Sequence, residues 1–176
     1  MKMITEISIE NIKDINKANE PFLVVGKIIP RFENEVWTYT ELLYNDAFLK
    51  SYPDDKTDFE NYINNSEKTI YFFYDNDNCV GQIVLRRNWN GYAFIEDIAV
   101  KKDFRGNGIG NELIKKSIQW AKQNNLCGLM LETQDNNLLA CRFYKKCGFK
   151  LGAVDTMLYS NFDNIDERAL FWYLKF

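Results

Sequence analysis

The chain has 176 residues, 46% of them hydrophobic and 27% charged, with 27 aromatics, 9 Gly and 3 Pro. That balance excludes a disordered, collagen-like or low-complexity protein and fits one domain with a sizeable core. Net charge is −3, divided as −7 over residues 1–85 and +4 over residues 86–176, which disfavours nucleic acid and reads either as a front half that attracts cations and a back half that attracts anions or as chance asymmetry on a solvated surface.

No histidine is present, so Ser-His-Asp and Cys-His nucleophilic chemistry and His-ligated zinc are removed together. Acid and base must then come from Glu, Asp, Tyr, Lys or Cys. Cys79, Cys127, Cys141 and Cys147 show no C-x-x-C pairing and read as reduced packing thiols. Apolar runs fall short of the roughly 18 residues a spanning helix needs, and Glu6 interrupts the opening segment; a soluble, unexported, cytoplasmic protein without a metal is expected.

In chain order, residues 21–30 (PFLVVGKIIP) form a β-branched run that Pro30 is expected to close, and EVWTYTELL reads as a second strand around Trp37 and Tyr39. A short helix is expected over 58–64, capped by Thr57. Strands over 69–74, 79–86 and 92–100 follow as a meander, turned at Asp75-Asn76-Asp77-Asn78 and at Asn90-Gly91. The pattern then becomes helix, strand, helix, strand. Ile109, Leu113, Ile114, Ser117, Ile118 and Ala121 share one helical face within 108–124; 126–132 is a buried strand; and 137–147 is a second helix stopped by Gly148. Strands over 150–159 and 168–176 finish the chain, and no repeat or linker is visible.

Between the third meander strand and the first helix lies Asp103-Phe-Arg-Gly-Asn-Gly-Ile-Gly. Glycines at 106, 108 and 110 let a ligand approach the backbone, and the following helix N-terminus offers outward N–H groups, which together make a phosphate cradle. A dinucleotide loop would need a third glycine where Asn111 stands, and a P-loop would need Gly-Lys-Ser/Thr.

Arg105-x-x-Gly108-x-Gly110, after a strand ending Ile98-Ala99-Val100, resembles the acyl-CoA pyrophosphate loop of the GNAT superfamily of N-acetyltransferases. Asn137-x-x-Ala140-x-x-Phe143-Tyr144-x-x-x-Gly148-Phe149 resembles that family's second signature, and the two cover residues 92–150. The resemblance implies an α/β, mixed α+β fold over residues 1–176: a central mixed, mostly antiparallel twisted sheet with two strands splayed apart, flanked by helices. It also implies acetyl-CoA as co-substrate and no metal. Cofactor contacts would come from Ile98, Ala99, Val100, Arg105, Gly106, Asn107, Gly108, Ile109, Gly110, Asn137 and Tyr144.

By the same resemblance Glu96 would be the base that removes the amine proton and Tyr144 would protonate the leaving thiolate, while an N–H of Ala99 or Val100 would polarise the acetyl oxygen; from the residues alone Glu96 also fits a structural salt bridge, Tyr144 a core aromatic and Asn137 a helix cap. Asp97 would anchor a cation. Strict strand alternation sets it on the face opposite Glu96. Trp37 and Asp54, with Tyr39, Tyr52, Asp55 and Trp89, offer acids and π-faces for a cationic acceptor. Lys101, Lys102 and Lys145 are candidates for the other phosphate or ordinary solvated lysines.

The phrases PRFENEVWTYTE, YPDD, WNGYAFIEDIAV, GLMLETQD and ALFWYLKF look like one group within the superfamily, the streptothricin acetyltransferases. That likeness implies a cationic small-molecule acceptor and a monomer or homodimer. Transfer to a polyamine or protein amine, and a non-catalytic acyl-CoA sensing module, are the alternatives.

Overall fold

Residues 69–73 are buried at every position, which a strand achieves only when both of its faces are covered. The computed structural model describes residues 1–54, 57–162 and 166–176. Its strands are β1 (Lys2–Glu6), β2 (Phe22–Glu33), β3 (Val36–Lys50), β4 (Lys68–Asp75), β5 (Asn78–Arg87), β6 (Ala93–Val100), β7 (Gly128–Gln134), β8 (Lys150–Asp155) and β9 (Ala169–Lys175). The helices are α1 (Ile109–Gln123) and α2 (Leu138–Lys146). The chain divides into one unit of Met1–Pro21, Ser51–Leu129 and Phe176, and a second of Phe22–Lys50 and Met130–Lys175.

In the first unit the strands lie in the order β1-β4-β5-β6, each antiparallel to its neighbour. One face packs Ile70, Phe72 and Val84 against Ile7 and Tyr62, with Ile12, Ile15, Phe59 and Ile63 at the margin. On the other face α1 crosses β5 at Gly81, where an added Cβ would meet Ile109 Cγ2 at 3.0 Å and Leu113 Cδ1 at 3.3 Å. The absent side chain is what lets the helix approach. Ile109, Leu113, Ile114, Ser117 and Ala121 form the buried helical stripe as expected, and Trp120 joins it where Ile118 stays half-buried.

The second unit pairs β2 with β3 as a long two-stranded ribbon, reversed at Asn34 and Glu35, which both take positive φ. Beside it β9 lies between β7 and β8, and α2 packs on β2. Leu138, Cys141 and Tyr144 are the buried stripe of α2, and Gly148 closes the helix at φ 92°, with its N–H donating to Lys145 O and that of Phe149 to Tyr144 O.

Several boundaries differ from expectation. Pro30 does not close β2, which runs to Glu33. Ile28 donates its N–H outward to Asp135 O rather than to β3, and Pro30, two residues on, faces the same way, so the strand loses no ladder bond there. The helix expected over 58–64 is one 3₁₀ turn, Phe59–Tyr62, capped by Asp58 instead of Thr57. The strand expected to reach residue 159 ends at Asp155, whose carboxylate accepts from the N–H groups of Met157 and Leu158 and folds the chain into a turn. β1, too polar to announce itself, is recruited by pairing with β4. None of the four cysteines is in a disulfide; burial pushes the Cys79 thiol up to about 11 and the Cys141 thiol up to about 12, so neither is a reactive thiolate.

Gly26 marks an irregularity in the β2–β3 register, and a Cβ there would sit 2.3 Å from Leu42 O and 2.9 Å from Leu43 Cα. Backbone cannot yield as a side chain does. Gly26→Ala is therefore expected to destabilise the protein by about 1–3 kcal/mol, read as a lowered urea midpoint at constant m-value.

Candidate functional site

The β5–β6 register runs Val84↔Asp97 and then Leu85↔Ile95, leaving Glu96 as an extra residue on β6. Such a bulge breaks the two-residue alternation and re-aims a side chain. Glu96 accepts from Tyr62 O–H at 2.7 Å and from Arg86 Nε at 2.9 Å, and its side chain is 29% exposed. Asp97 accepts from Gln82 Nε2 at 2.6 Å, and Gln82 is itself held by the N–H of Asn16. Gln82 and Arg86 stand four apart on β5 and share a face. The expectation that Glu96 and Asp97 turn opposite ways is thus overturned: the inserted residue puts both carboxylates on the face covered by Tyr62.

Beyond the bulge, Gly81 and Val100 are opposite each other, while the next residue, Lys101, donates its N–H to Val80 O. By antiparallel geometry Val100 then turns its N–H and C=O away from β5, and Ala99 turns its own toward it. Of the two amides considered from sequence, only Val100 faces outward from the ladder. Its carbonyl accepts from Arg105 Nε at 2.8 Å.

The chain next makes a 3₁₀ turn at Lys102–Phe104 and enters α1 through Gly106 (φ 82°) and Gly108 (φ 84°). Both glycines are left-handed, and a Cβ on either would meet nothing within 4 Å. The space beside both is open. Glu112 N–H to Gly108 O is the first helical bond of α1, so the amides of Ile109 and Gly110 have no acceptor inside the helix. Arg105 spends three of its donors on main-chain carbonyls, those of Val100, Pro21 and Glu20, and the Glu20 carboxylate accepts from the Lys102 N–H at 2.5 Å. Its placement is that of a brace for the loop as much as an anion ligand. Asn107 bonds back to Phe104 O.

In the second unit Asn137 caps α2, accepting from the Ala140 N–H at 3.3 Å, and bridges to Gly26. Tyr144 is buried among Phe143, Phe149 and Trp172, at ring distances of 5.5, 5.9 and 6.5 Å. Of the acceptor candidates, Trp37 packs on Phe32 at the ribbon tip, Tyr39 meets the Trp172 ring and lies under Lys145, and Asp54 holds Asn19. Trp89, 94% exposed, tops the β5–β6 turn, Tyr52 is exposed, and Asp55 lies outside the described residues. Among the described residues no group of three or more His, Cys, Asp or Glu is placed to hold a metal, and no helix is long and apolar enough to cross a membrane.

Sequence reasoning passed over two carboxylates of this unit. Burial pushes the Glu132 carboxyl up, against the O–H of Tyr159 that donates to it. Burial likewise raises Asp135, against the backbone N–H of Arg168. Both sit in GLMLETQD, and their only signal is charge directly after an apolar strand.

A carboxyl raised above its usual 4.5 keeps its proton longer in the folded chain, so its ionised form opposes folding at neutral pH, and that opposition vanishes as pH falls through the folded value toward 4.5. Glu132→Gln, which still accepts from Tyr159, is expected to melt above the wild type at pH 8. The gap should close by pH 4; a gap that widens on acidification contradicts the assignment.

A family model described as the acetyltransferase (GNAT) family matches residues 31–149. Streptothricin acetyltransferase A of Bacillus subtilis (strain 168) is 55% identical over 174 residues, which span 99% of this chain and 100% of that protein. A solved structure from Bacillus anthracis str. Ames, assigned as a streptothricin acetyltransferase and holding acetyl coenzyme A, matches with a TM-score of 0.93 at 37% identity over 100% of both chains. Nourseothricin acetyltransferase shares the fold, with a TM-score of 0.82 at 23% identity over 99% of this chain and 98% of that one. The expected mixed α/β fold is the one these structures have. With the glycine junction and both helices inside or bordering the matched segment, the chain belongs to the acetyltransferase (GNAT) family of enzymes.

Proposed function

We propose that the protein moves an acetyl group from acetyl-CoA to a primary amine of a cationic small molecule, streptothricin foremost, and so confers resistance to that antibiotic. It acts as a cytoplasmic, single-domain enzyme without a metal. The observation that carries the reading is the β6–α1 junction: two left-handed glycines open onto free space beside helix amides that have no internal acceptor. The residues fit a pyrophosphate, which needs close backbone approach and several N–H donors at a positive helix end. Identity to the Bacillus subtilis protein named for streptothricin supports the acceptor.

In this reading the amides of Gly106, Asn107, Gly108, Ile109 and Gly110 hold the pyrophosphate while Arg105 keeps the loop in register. Ile98 and Val100, whose amides share the outward edge of β6, line the pantetheine arm, with Asn137 at the head of α2. The Val100 N–H polarises the thioester carbonyl. Glu96 takes the amine proton through a water, the nitrogen forms a bond to the acetyl carbon, the C–S bond breaks, and Tyr144 gives its proton to the departing thiolate. Asp97, on the same face as Glu96, holds the cation in place, while Asp54 and Trp37 supply further charge and π-surface.

Thiol release from acetyl-CoA tests this with streptothricin, spermidine and a lysine peptide as acceptors. Streptothricin should have the highest kcat/KM; spermidine used as well or better would remove the antibiotic, and no release with any amine would favour the sensing module. Acetyl-CoA at about 100 times its Kd adds roughly 2.7 kcal/mol, which is on the order of 5–10 °C in Tm at this size. Gly108→Asp, a carboxylate facing the pyrophosphate, should abolish that shift.

Tyr144→Phe keeps the ring packing and should lower turnover about 10²-fold with acetyl-CoA binding nearly intact. Glu96→Gln should lower turnover near neutral pH and regain part of it as rising pH frees the amine of its proton. A rise in KM alone would make Glu96 an anchor instead of a base.

A further inference from the structure

Two Asn-Gly pairs occur in the sequence, Asn90-Gly91 and Asn107-Gly108. Such a pair carries a reaction of its own, because a glycine after the asparagine has no Cβ to keep its main-chain nitrogen from the side-chain carboxamide, and its backbone turns freely. Whether the reaction runs depends on what else holds those two groups.

At the first pair both are held. The Gly91 N–H donates to Asn88 O at 3.1 Å, and Asn90 Oδ1 accepts from Asn88 Nδ2 at 3.0 Å and from the Tyr92 N–H at 3.3 Å. At the second pair the holding is slight. Asn107 and Gly108 are exposed, the glycines on either side of Asn107 are left-handed at φ 82° and 84°, and a Cβ on Gly108 would meet nothing within 4 Å. Among the described residues the Gly108 N–H meets no acceptor, and the Asn107 carboxamide keeps one bond, from Nδ2 to Phe104 O at 3.3 Å. A loop that leaves an amide open to an anion also leaves its nitrogen open to react.

We propose that Asn107 is a site of spontaneous deamidation, that the reaction disables the β6–α1 loop, and that bound acetyl-CoA protects against it. The Gly108 nitrogen forms a bond to Asn107 Cγ, the Cγ–Nδ2 bond breaks, and ammonia departs with the proton that the glycine amide gives up, leaving a cyclic imide. Water then opens the ring. Cleavage between the nitrogen and Cγ leaves an aspartate side chain, and cleavage at the main-chain carbonyl leaves an isoaspartate linkage, so the net change is carboxamide plus water to carboxylic acid plus ammonia. Either product sets a new carboxylate between Gly106 and Gly108. The consequence for the cofactor rests on the pyrophosphate reading of this junction: like charges would then face each other, and a Gly108 N–H donating to phosphate would be withdrawn from the attack.

The test ages the full chain at 37 °C in mildly alkaline buffer, with and without acetyl-CoA, follows both Asn-Gly peptides by mass spectrometry, and measures acetyl-CoA affinity by calorimetry. Without ligand the Asn107 peptide should convert at least about 5-fold faster than the Asn90 peptide, whose hydrogen bonds must break first. Acetyl-CoA at about 100 times its Kd leaves roughly one free molecule in a hundred, so conversion at Asn107 should slow by at least about 10-fold. The deamidated fraction, separated from aged protein by anion exchange, should bind acetyl-CoA on the order of 10–100-fold more weakly, and Asn107→Asp should match it. Asn107→Gln, whose ring closure is disfavoured by one more carbon, should keep its own starting affinity throughout.

Equal conversion at Asn90 and Asn107, conversion at Asn107 that bound acetyl-CoA does not slow, or a deamidated fraction that binds as tightly as fresh protein overturns the proposal while leaving the pyrophosphate reading in place. Should Asn107→Asp melt below the wild type, the fraction from aged wild type decides. Fresh protein that fails to bind acetyl-CoA removes the pyrophosphate reading, and the proposed protection falls with it.

Discussion

The passage from β6 into α1 is the constraint on which the functional end of the first unit depends. A strand whose last outward amide belongs to Val100 must become, within nine residues, a helix whose first amides also face outward. Two left-handed residues accomplish this, and at Gly106 and Gly108 a side chain would be strained by conformation though not by space. A loop built to expose amides is poorly held by its own hydrogen bonds. Arg105 compensates by tying Val100, Glu20 and Pro21 carbonyls into one cluster, and Glu20 takes the Lys102 amide. The guanidinium suits that task because its planar fork meets several acceptors at fixed angles.

A second departure from regularity, the bulge at Glu96, has a chemical consequence. In an uninterrupted strand Glu96 and Asp97 would serve opposite faces; with one extra residue they share the face of Gln82 and Arg86, each with its own donors. Two adjacent carboxylates on one face would repel if both were unpaired. Arg86 and Tyr62 on one, and the Gln82 amide on the other, make the arrangement tolerable. The proposed division of labour, Glu96 as base and Asp97 as anchor, gives each carboxylate a role beside a different set of partners.

Much of this was legible in the sequence. The α1 stripe, the Gly148 cap, the Asn90-Gly91 turn and the glycine junction are short-range signals in which local chemistry and final structure agree. What was not legible came from pairing between distant segments. The bulge at Glu96 has no glycine to announce it and exists only as a mismatch of register with β5. The end of β2 is hidden in the sequence because Pro30 is harmless on a strand edge, and that edge is defined by Asp135, over a hundred residues away. Glu132 and Tyr159 lie 27 residues apart; their meeting depends on the turn set by Asp155, which a β-rich run to residue 159 concealed. Arg105 was recognised as part of a motif, but its carbonyl partners at Glu20 and Pro21 could not be foreseen from the motif's spacing.

The central claim, that backbone amides at the β6–α1 junction hold the pyrophosphate, is tested most directly by following every amide resonance of the ¹⁵N-labelled protein while CoA is titrated in. The account predicts that Gly106, Gly108, Ile109 and Gly110 show the largest shifts and saturate together, with the side-chain resonances of Arg105 staying in their braced positions. Saturable CoA binding that leaves these four amides unmoved, with its largest shifts elsewhere in the chain, would contradict it.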